Sequence, residues 1–68
     1  MTEIYVYEAG ALNITLFEGS TPTVPNVDDI IVLELASDPC HRWTVVRREF
    51  NLTTDGVRVD VFVQKRGY

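Results

Sequence analysis

The stretch Val57-Arg58-Val59-Asp60-Val61-Phe62-Val63 alternates valine with charged or aromatic residues over its whole length. Successive side chains of an extended strand point to opposite faces, so the four valines share one side and Arg58, Asp60 and Phe62 the other. A valine stripe of this kind stabilises a fold only when it is buried, which marks the segment as a strand with one core-facing side. Just before it, Asp55-Gly56 offers a pair that accepts positive φ. Further back, Trp43 to Phe50 has the length and composition of an antiparallel partner.

Two registers suit this hairpin. A two-residue turn at Asp55-Gly56 sets Phe50 opposite Val61 and Leu52 opposite Val59. A wider turn centred between Thr53 and Thr54 sets Phe50 opposite Val57 and Val46 opposite Val61. The wider turn also brings Arg47 opposite Asp60 and Glu49 opposite Arg58, two complementary charge pairs that favour it. In both registers Phe50 joins the valines, and Trp43, Val45, Arg47, Glu49, Arg58, Asp60 and Phe62 share the outward face. Arg48 conflicts with the pattern, because alternation sends it toward the valines. A bulge, strong curvature or a place at an open rim would relieve it.

Toward the N-terminus, residues 3–8 carry four consecutive β-branched or aromatic residues, Ile4 to Tyr7, and end at Ala9-Gly10-Ala11. Residues 12–17 then alternate apolar and polar, which predicts a first hairpin. Ile4, Val6, Leu12, Ile14 and Leu16 are its core candidates. Tyr5, Tyr7 and Phe17 would face the other way, as a second apolar layer or a partly exposed aromatic strip. Pro22 and Pro25 break any continuous ladder over residues 19–26, which read as a loop crossing the domain. Asp28 and Asp29, in turn chemistry, lead into Ile30-Ile31-Val32-Leu33-Glu34-Leu35, expected to be the most buried strand. Ala36 to His41 reads as a turn. No segment sustains a three-four apolar period, so helix is limited to a turn or two. The expectation is an all-β domain over residues 1–68, a five-stranded antiparallel meander closing into a small SH3-like or OB-like barrel.

The 68 residues, 46% of them hydrophobic and 24% charged, suit a globular chain near the lower size limit for an unaided core. No apolar run reaches the roughly 18 residues a membrane-spanning helix needs, and Met1-Thr2-Glu3 lacks the character of a secretion signal. With Cys40 as the single cysteine, no internal disulfide forms, so the expected setting is a reducing one, the cytoplasm. The tripeptides Asn13-Ile14-Thr15 and Asn51-Leu52-Thr53 match the glycosylation sequon, which carries weight only in a secreted eukaryotic protein. A net charge of −4 argues against general affinity for nucleic acid or anionic membranes. Every basic residue falls at or after Arg42, while seven acidic residues precede it. That order fits either two halves that pair in one sheet or a surface with an acidic and a basic face.

Catalytic chemistry is hard to assemble from these residues. A nucleophile needs a base beside it, yet the lone histidine, His41, adjoins the lone cysteine, and neighbours on an extended chain point apart. Asp38, Cys40 and His41 fall short of the four paired ligands of a structural zinc site. The four glycines match no phosphate-binding loop, so neither a metal nor another cofactor is expected. One constellation stands out: Trp43, Arg47, Arg58 and Phe62 on the outward face of the last two strands. Tryptophan and arginine are enriched at binding hot spots. The competing reading makes Trp43 a core residue closing one end of the barrel.

The stretch Val24-Pro25-Asn26-Val27-Asp28-Asp29-Ile30-Ile31-Val32-Leu33, with the strands at 43–50 and 57–63, resembles small SH3-like β-barrel proteins of bacteriophages and bacteria. Their pattern has a Pro-x-x-Gly-Asp turn into a strand, an aromatic-x-Val strand and a terminal alternating strand. Asp28 stands where that pattern has glycine. The resemblance covers about residues 24–63, implies a barrel of phage-like origin and conveys no catalytic residues.

The leading expectation is a non-enzymatic protein-interaction module, of the kind a phage uses as an accessory protein acting on a host protein. The alternative is a small nucleic-acid-binding barrel that uses the basic C-terminal strands through Arg42, Arg47, Arg48, Arg58, Lys65 and Arg66, with bases stacking on aromatic rings. A homodimer through an open sheet edge is a further expectation.

Overall fold

The computed structural model describes residues 2–33 and 42–66, with the side chains of residues 11–13 excepted. Five strands run in chain order: β1 (Thr2–Glu8), β2 (Ala11–Thr21), β3 (Ile30–Val32), β4 (Arg42–Thr53) and β5 (Gly56–Lys65). They form one sheet in the order β2-β1-β5-β4-β3, curled into a half-barrel. Helix is absent among the described residues.

The antiparallel meander gives way to a mixed sheet. β1 and β5, the first and last strands, lie side by side and parallel at its centre, with Ile4 beside Val59 and Val6 beside Val61. The remaining neighbours are antiparallel. A parallel sheet centre is normally covered on its apolar face, and both β1 and β5 direct apolar residues to one side. Ile4, Val6, Val59, Val61 and Val63 meet there with Trp43 and Val45, and Leu16, Val24, Ile31 and Leu33 pack against them. Since β2 and β3 remain edge strands among the described residues, the sheet does not close through them.

The β4–β5 hairpin settles on a register midway between the two expected. Thr53 pairs with Gly56 around a two-residue Thr54-Asp55 turn, which sets Phe50 opposite Val59 and Glu49 opposite Asp60. Thr53 Oγ1 accepts from the Asp55 N–H at 3.2 Å and donates to the Gly56 carbonyl at 3.1 Å. Gly56 takes φ +137°, which only glycine adopts freely. The proposed pairs Arg47 with Asp60 and Glu49 with Arg58 are therefore not formed across the strands. Each arginine instead bridges the carboxylate two residues along its own strand, Arg47 to Glu49 at 3.2 Å and Arg58 to Asp60 at 3.3 Å.

The shift between Val45 and Arg47 is a bulge at Val46. Before it, Val45 opposes Val63; after it, Arg47 opposes Phe62. One extra residue reverses which side each later residue faces. Trp43 and Val45 accordingly turn into the core, both fully buried, and leave the outward face expected for them. Past the bulge Arg48 lies on the valine side, opposite Val61. It escapes burial at the rim, donating to Asn26 Oδ1 at 3.2 Å and toward the Pro25 carbonyl at 3.5 Å.

Two further expectations are corrected. Ile30–Val32 is a three-residue edge strand, with Ile30 and Val32 exposed and only Ile31 packed on the core. The most buried strand is instead β5, which has neighbours on both sides. In β2, register shifts opposite Val6/Tyr7 and Tyr7/Glu8 leave Ile14 62% exposed, while Leu16 still reaches the core. Phe17 pairs with Val6 and so shares its face, contrary to the simple alternation. Its ring lies along Gly19, where a Cβ would come within 3.0 Å of it. The Leu12 side chain, Glu34, Leu35, the Ala36–His41 turn with Asp38 and Cys40, and Tyr68 lie outside the described residues.

The loop after β2 crosses to the far edge of the sheet, as its prolines suggest. Val45 N donates to the Asp29 carbonyl at 2.9 Å, and Asp28 N donates to the Val45 carbonyl at 2.8 Å, docking the loop on β4. Asp28 has φ +76°, a left-handed conformation natural to glycine. Replacing it with glycine should change stability by less than about 1 kcal/mol, since relieved strain offsets extra freedom in the unfolded chain. Asp28→Val should cost about 1–2 kcal/mol. Urea midpoints check this; a valine variant that unfolds with the unmodified chain would contradict the turn geometry.

Candidate functional surface

The core-facing sides of β1, β4 and β5 leave their other sides on the convex face of the sheet. Parallel register places Glu3, Tyr5 and Tyr7 of β1 beside Arg58, Asp60 and Phe62 of β5. On the opposite flank, Arg47, Glu49 and Asn51 of β4 stand against Phe62, Asp60 and Arg58. Three adjacent strands thus present aromatic rings interleaved with charges.

Their contacts are specific. The Arg58 guanidinium lies over the Tyr5 ring, 4.6 Å from its centroid, and that of Arg47 over the Phe62 ring at 4.2 Å. Tyr7 stacks on Phe62, with centroids 5.7 Å apart and an interplanar angle of 27°. Stacking on ring faces satisfies the guanidinium's π contacts while its N–H groups stay available to carboxylates. Asp60 joins the two halves of the array, accepting from Asn51 Nδ2 at 3.0 Å and from Arg58 at 3.3 Å. Its side chain is only 13% exposed, and Oδ1 has no hydrogen-bond partner among the described residues. Glu49 is the cross-strand neighbour of Asp60 in register, so the surface sets two like charges opposite each other.

Electrostatics follow from these neighbours. Asp60, as hydrogen-bond acceptor and as a negative charge, raises the pKa of Arg58 further. The Glu3 carboxylate, by hydrogen bonding and by its charge, holds the Tyr5 phenol above its ordinary value. Tyr5 therefore stays protonated and able to donate throughout the physiological range. Shallow recesses flank the array. One of about 390 Å³ is lined by Ala9, Gly10, Val46, Arg47 and Phe62, and one of about 230 Å³ adjoins Glu3, Gly56 and Arg58.

Of the four residues nominated from the sequence, the structure brings Arg47, Arg58 and Phe62 together on this face. Trp43 stands apart in the core, with no exposed surface and its Nε1–H without a partner among the described residues. Lys65, directly opposite it on β5, holds its ammonium 5.9 Å from the indole. Phe62 itself is 6% exposed, roofed by Arg47 and Tyr7, so it shapes the surface more than it presents one. Tyr5 and Tyr7 were not nominated as binding residues. Their spacing put them on one side of β1, but only the parallel pairing of β1 with β5 sets them beside the arginines.

Among the described residues no group of three or more His, Cys, Asp or Glu side chains converges as a metal site, and no helix is long and apolar enough to cross a membrane. No protein-family model, curated protein or solved structure matches the chain.

Proposed function

We propose that the chain is a non-enzymatic protein-interaction module whose convex face, built on Tyr5, Tyr7, Arg47, Arg58 and Phe62, receives a protein partner. The observation that carries this reading is the pair of guanidiniums held flat on aromatic rings, each also tied to a carboxylate. Arginines ordered in this way lose less side-chain freedom on binding, and arginine with tyrosine is the composition of interface hot spots. The recess beside Arg47 and Phe62 offers room for a partner's side chain.

The same pairing weighs against nucleic acid. Arg47 and Arg58 each face a carboxylate within 3.3 Å, and Glu3 lies in register with Arg58. A phosphate backbone would meet a surface whose positive charge is already offset. The resemblance of residues 24–63 to SH3-like phage proteins extends the proposal to an accessory protein acting on a host protein. A cytoplasmic setting goes with it, supported by the single cysteine.

The test is capture from bacterial lysate by the immobilised chain, run beside the Arg47→Ala/Arg58→Ala variant. A partner retained by the first should be lost from the second, with affinity reduced about tenfold or more per arginine. Equal capture by both chains would reject this face. Oligonucleotide binding at physiological salt that weakens steeply as salt rises would put the nucleic-acid reading in its place.

A further inference from the structure

β4 is the longest strand in the sheet, and β3 covers only its first part, from Arg42 to Thr44, with Asp28 and Asp29 extending the pairing to Val45. Beyond the Val46 bulge, alternation turns the N–H and C=O groups of Arg47, Glu49, Asn51 and Thr53 toward β5. Those of Arg48, Phe50 and Leu52 point out from the sheet. These outward groups pair with no described backbone. The same length of strand carries exposed apolar side chains on the valine side: Phe50 at 52%, Leu52 at 77% and, opposite Leu52, Val57 at 47%. An unpaired edge beside an exposed apolar patch is the arrangement that recruits another strand.

We propose that this edge is a homodimer interface, in which residues 48–52 of two copies pair antiparallel about a two-fold axis at Phe50. The choice of a second copy rests on self-complementarity. For the apolar sides to remain continuous, one residue of β4 must oppose its own copy, with the axis midway between the two. Placed at Glu49 it would oppose two carboxylates, and at Arg48 two guanidiniums. Placed at Phe50 it opposes the two phenyl rings, sets each Arg48 against Leu52 of the other copy, and sets each Glu49 against Asn51. That position also makes every pair with outward-pointing groups, Phe50 with itself and Arg48 with Leu52, a hydrogen-bonded one. The apolar contacts of this interface lie on the side of the sheet opposite the convex face, and only Glu49 and Asn51 meet across the axis on the convex side.

Leu52 provides the test, because at 77% exposure its replacement leaves the folded monomer intact. Leu52→Lys puts a lysine against Arg48 of the second copy, while Leu52→Glu puts a carboxylate there. Each change acts twice across the axis, so the lysine variant should dissociate roughly tenfold more readily and the glutamate variant should stay dimeric. Sedimentation equilibrium reads both. Oxidation supplies the register in a Cys40→Ser background: Phe50→Cys should cross-link, since hydrogen-bonded antiparallel neighbours lie about 5.5 Å apart at Cα, and Asn51→Cys should not. A monomer mass for the unmodified chain at roughly 100 µM, identical masses for the lysine and glutamate variants, or cross-linking at Asn51 in preference to Phe50 would each overturn the proposal.

Discussion

Val59→Asp is expected to unfold the protein. Val59 has no exposed surface and lies between Ile4 of β1 and Phe50 of β4, neither of which offers a counter-charge. A carboxylate there is either buried unpaired or protonated, and the cost of several kcal/mol is comparable with the whole stability of a domain this small. Val61→Asp should be the milder change although Val61 is equally buried, because Arg48 stands directly opposite and is already half-buried. The two valines are equivalent in the sequence pattern, and cross-strand register separates them.

Asp60→Ala is the control on the other side of β5. Asp60 is mostly covered, so it is more than the exposed cross-strand charge that alternation implies. Its removal frees the Asn51 amide and Arg58 but also removes an unpartnered oxygen and a like charge opposite Glu49 in register. The net loss should be about 1 kcal/mol. Urea unfolding followed by circular dichroism should rank the variants as Val59→Asp, Val61→Asp, Asp60→Ala, from most to least harmful. Equal losses at Val59 and Asp60 would mean that the two faces of β5 are wrongly assigned.

Trp43→Ala is the second large effect, with an expected loss of about 3–5 kcal/mol. Trp43 is the largest fully buried side chain and joins Val45 and Val63 in the core, so alanine leaves a cavity that short strands cannot close. It is also the only tryptophan. Native emission should therefore be blue-shifted and move to longer wavelength on unfolding, in one transition with the loss of sheet. Phe50→Ala, at an aromatic site 52% exposed, should cost far less. A Trp43→Ala chain that keeps its midpoint and native spectrum would return Trp43 to the surface and undo the bulge at Val46 as its explanation.

Local pattern carried the strand content of the chain. The valines of β5, the aliphatic and aromatic run of β1 and the prolines after β2 identify strands and a crossing loop, because side-chain alternation and proline's missing donor are properties of a few neighbouring residues. The union of Arg47, Arg58 and Phe62 on one face was legible for the same reason: all three lie past the bulge, where parity holds. The sequence also showed Arg48 in conflict with the valine side; the structure keeps it there and relieves the conflict at the rim, through Asn26 and Pro25.

Tertiary structure alone decided the remainder. Nothing in β1 or β5 announces that they pair in parallel, since that contact joins residues more than fifty positions apart and depends on a shared apolar side. The pairing brings Tyr5 and Tyr7 to the arginines and puts β5, instead of Ile30–Leu35, at the buried centre. The Val46 bulge is equally silent in the sequence, because Val46 suits a regular strand as well as an irregular one. What selects the bulge is global packing: with it, Trp43 and Val45 bury their apolar surface against Val63, and without it they would face water beside Arg47. A shift of one residue therefore changes Trp43 from a surface anchor into the centre of the core, and only the energy of burying that surface against distant strands determines which it is.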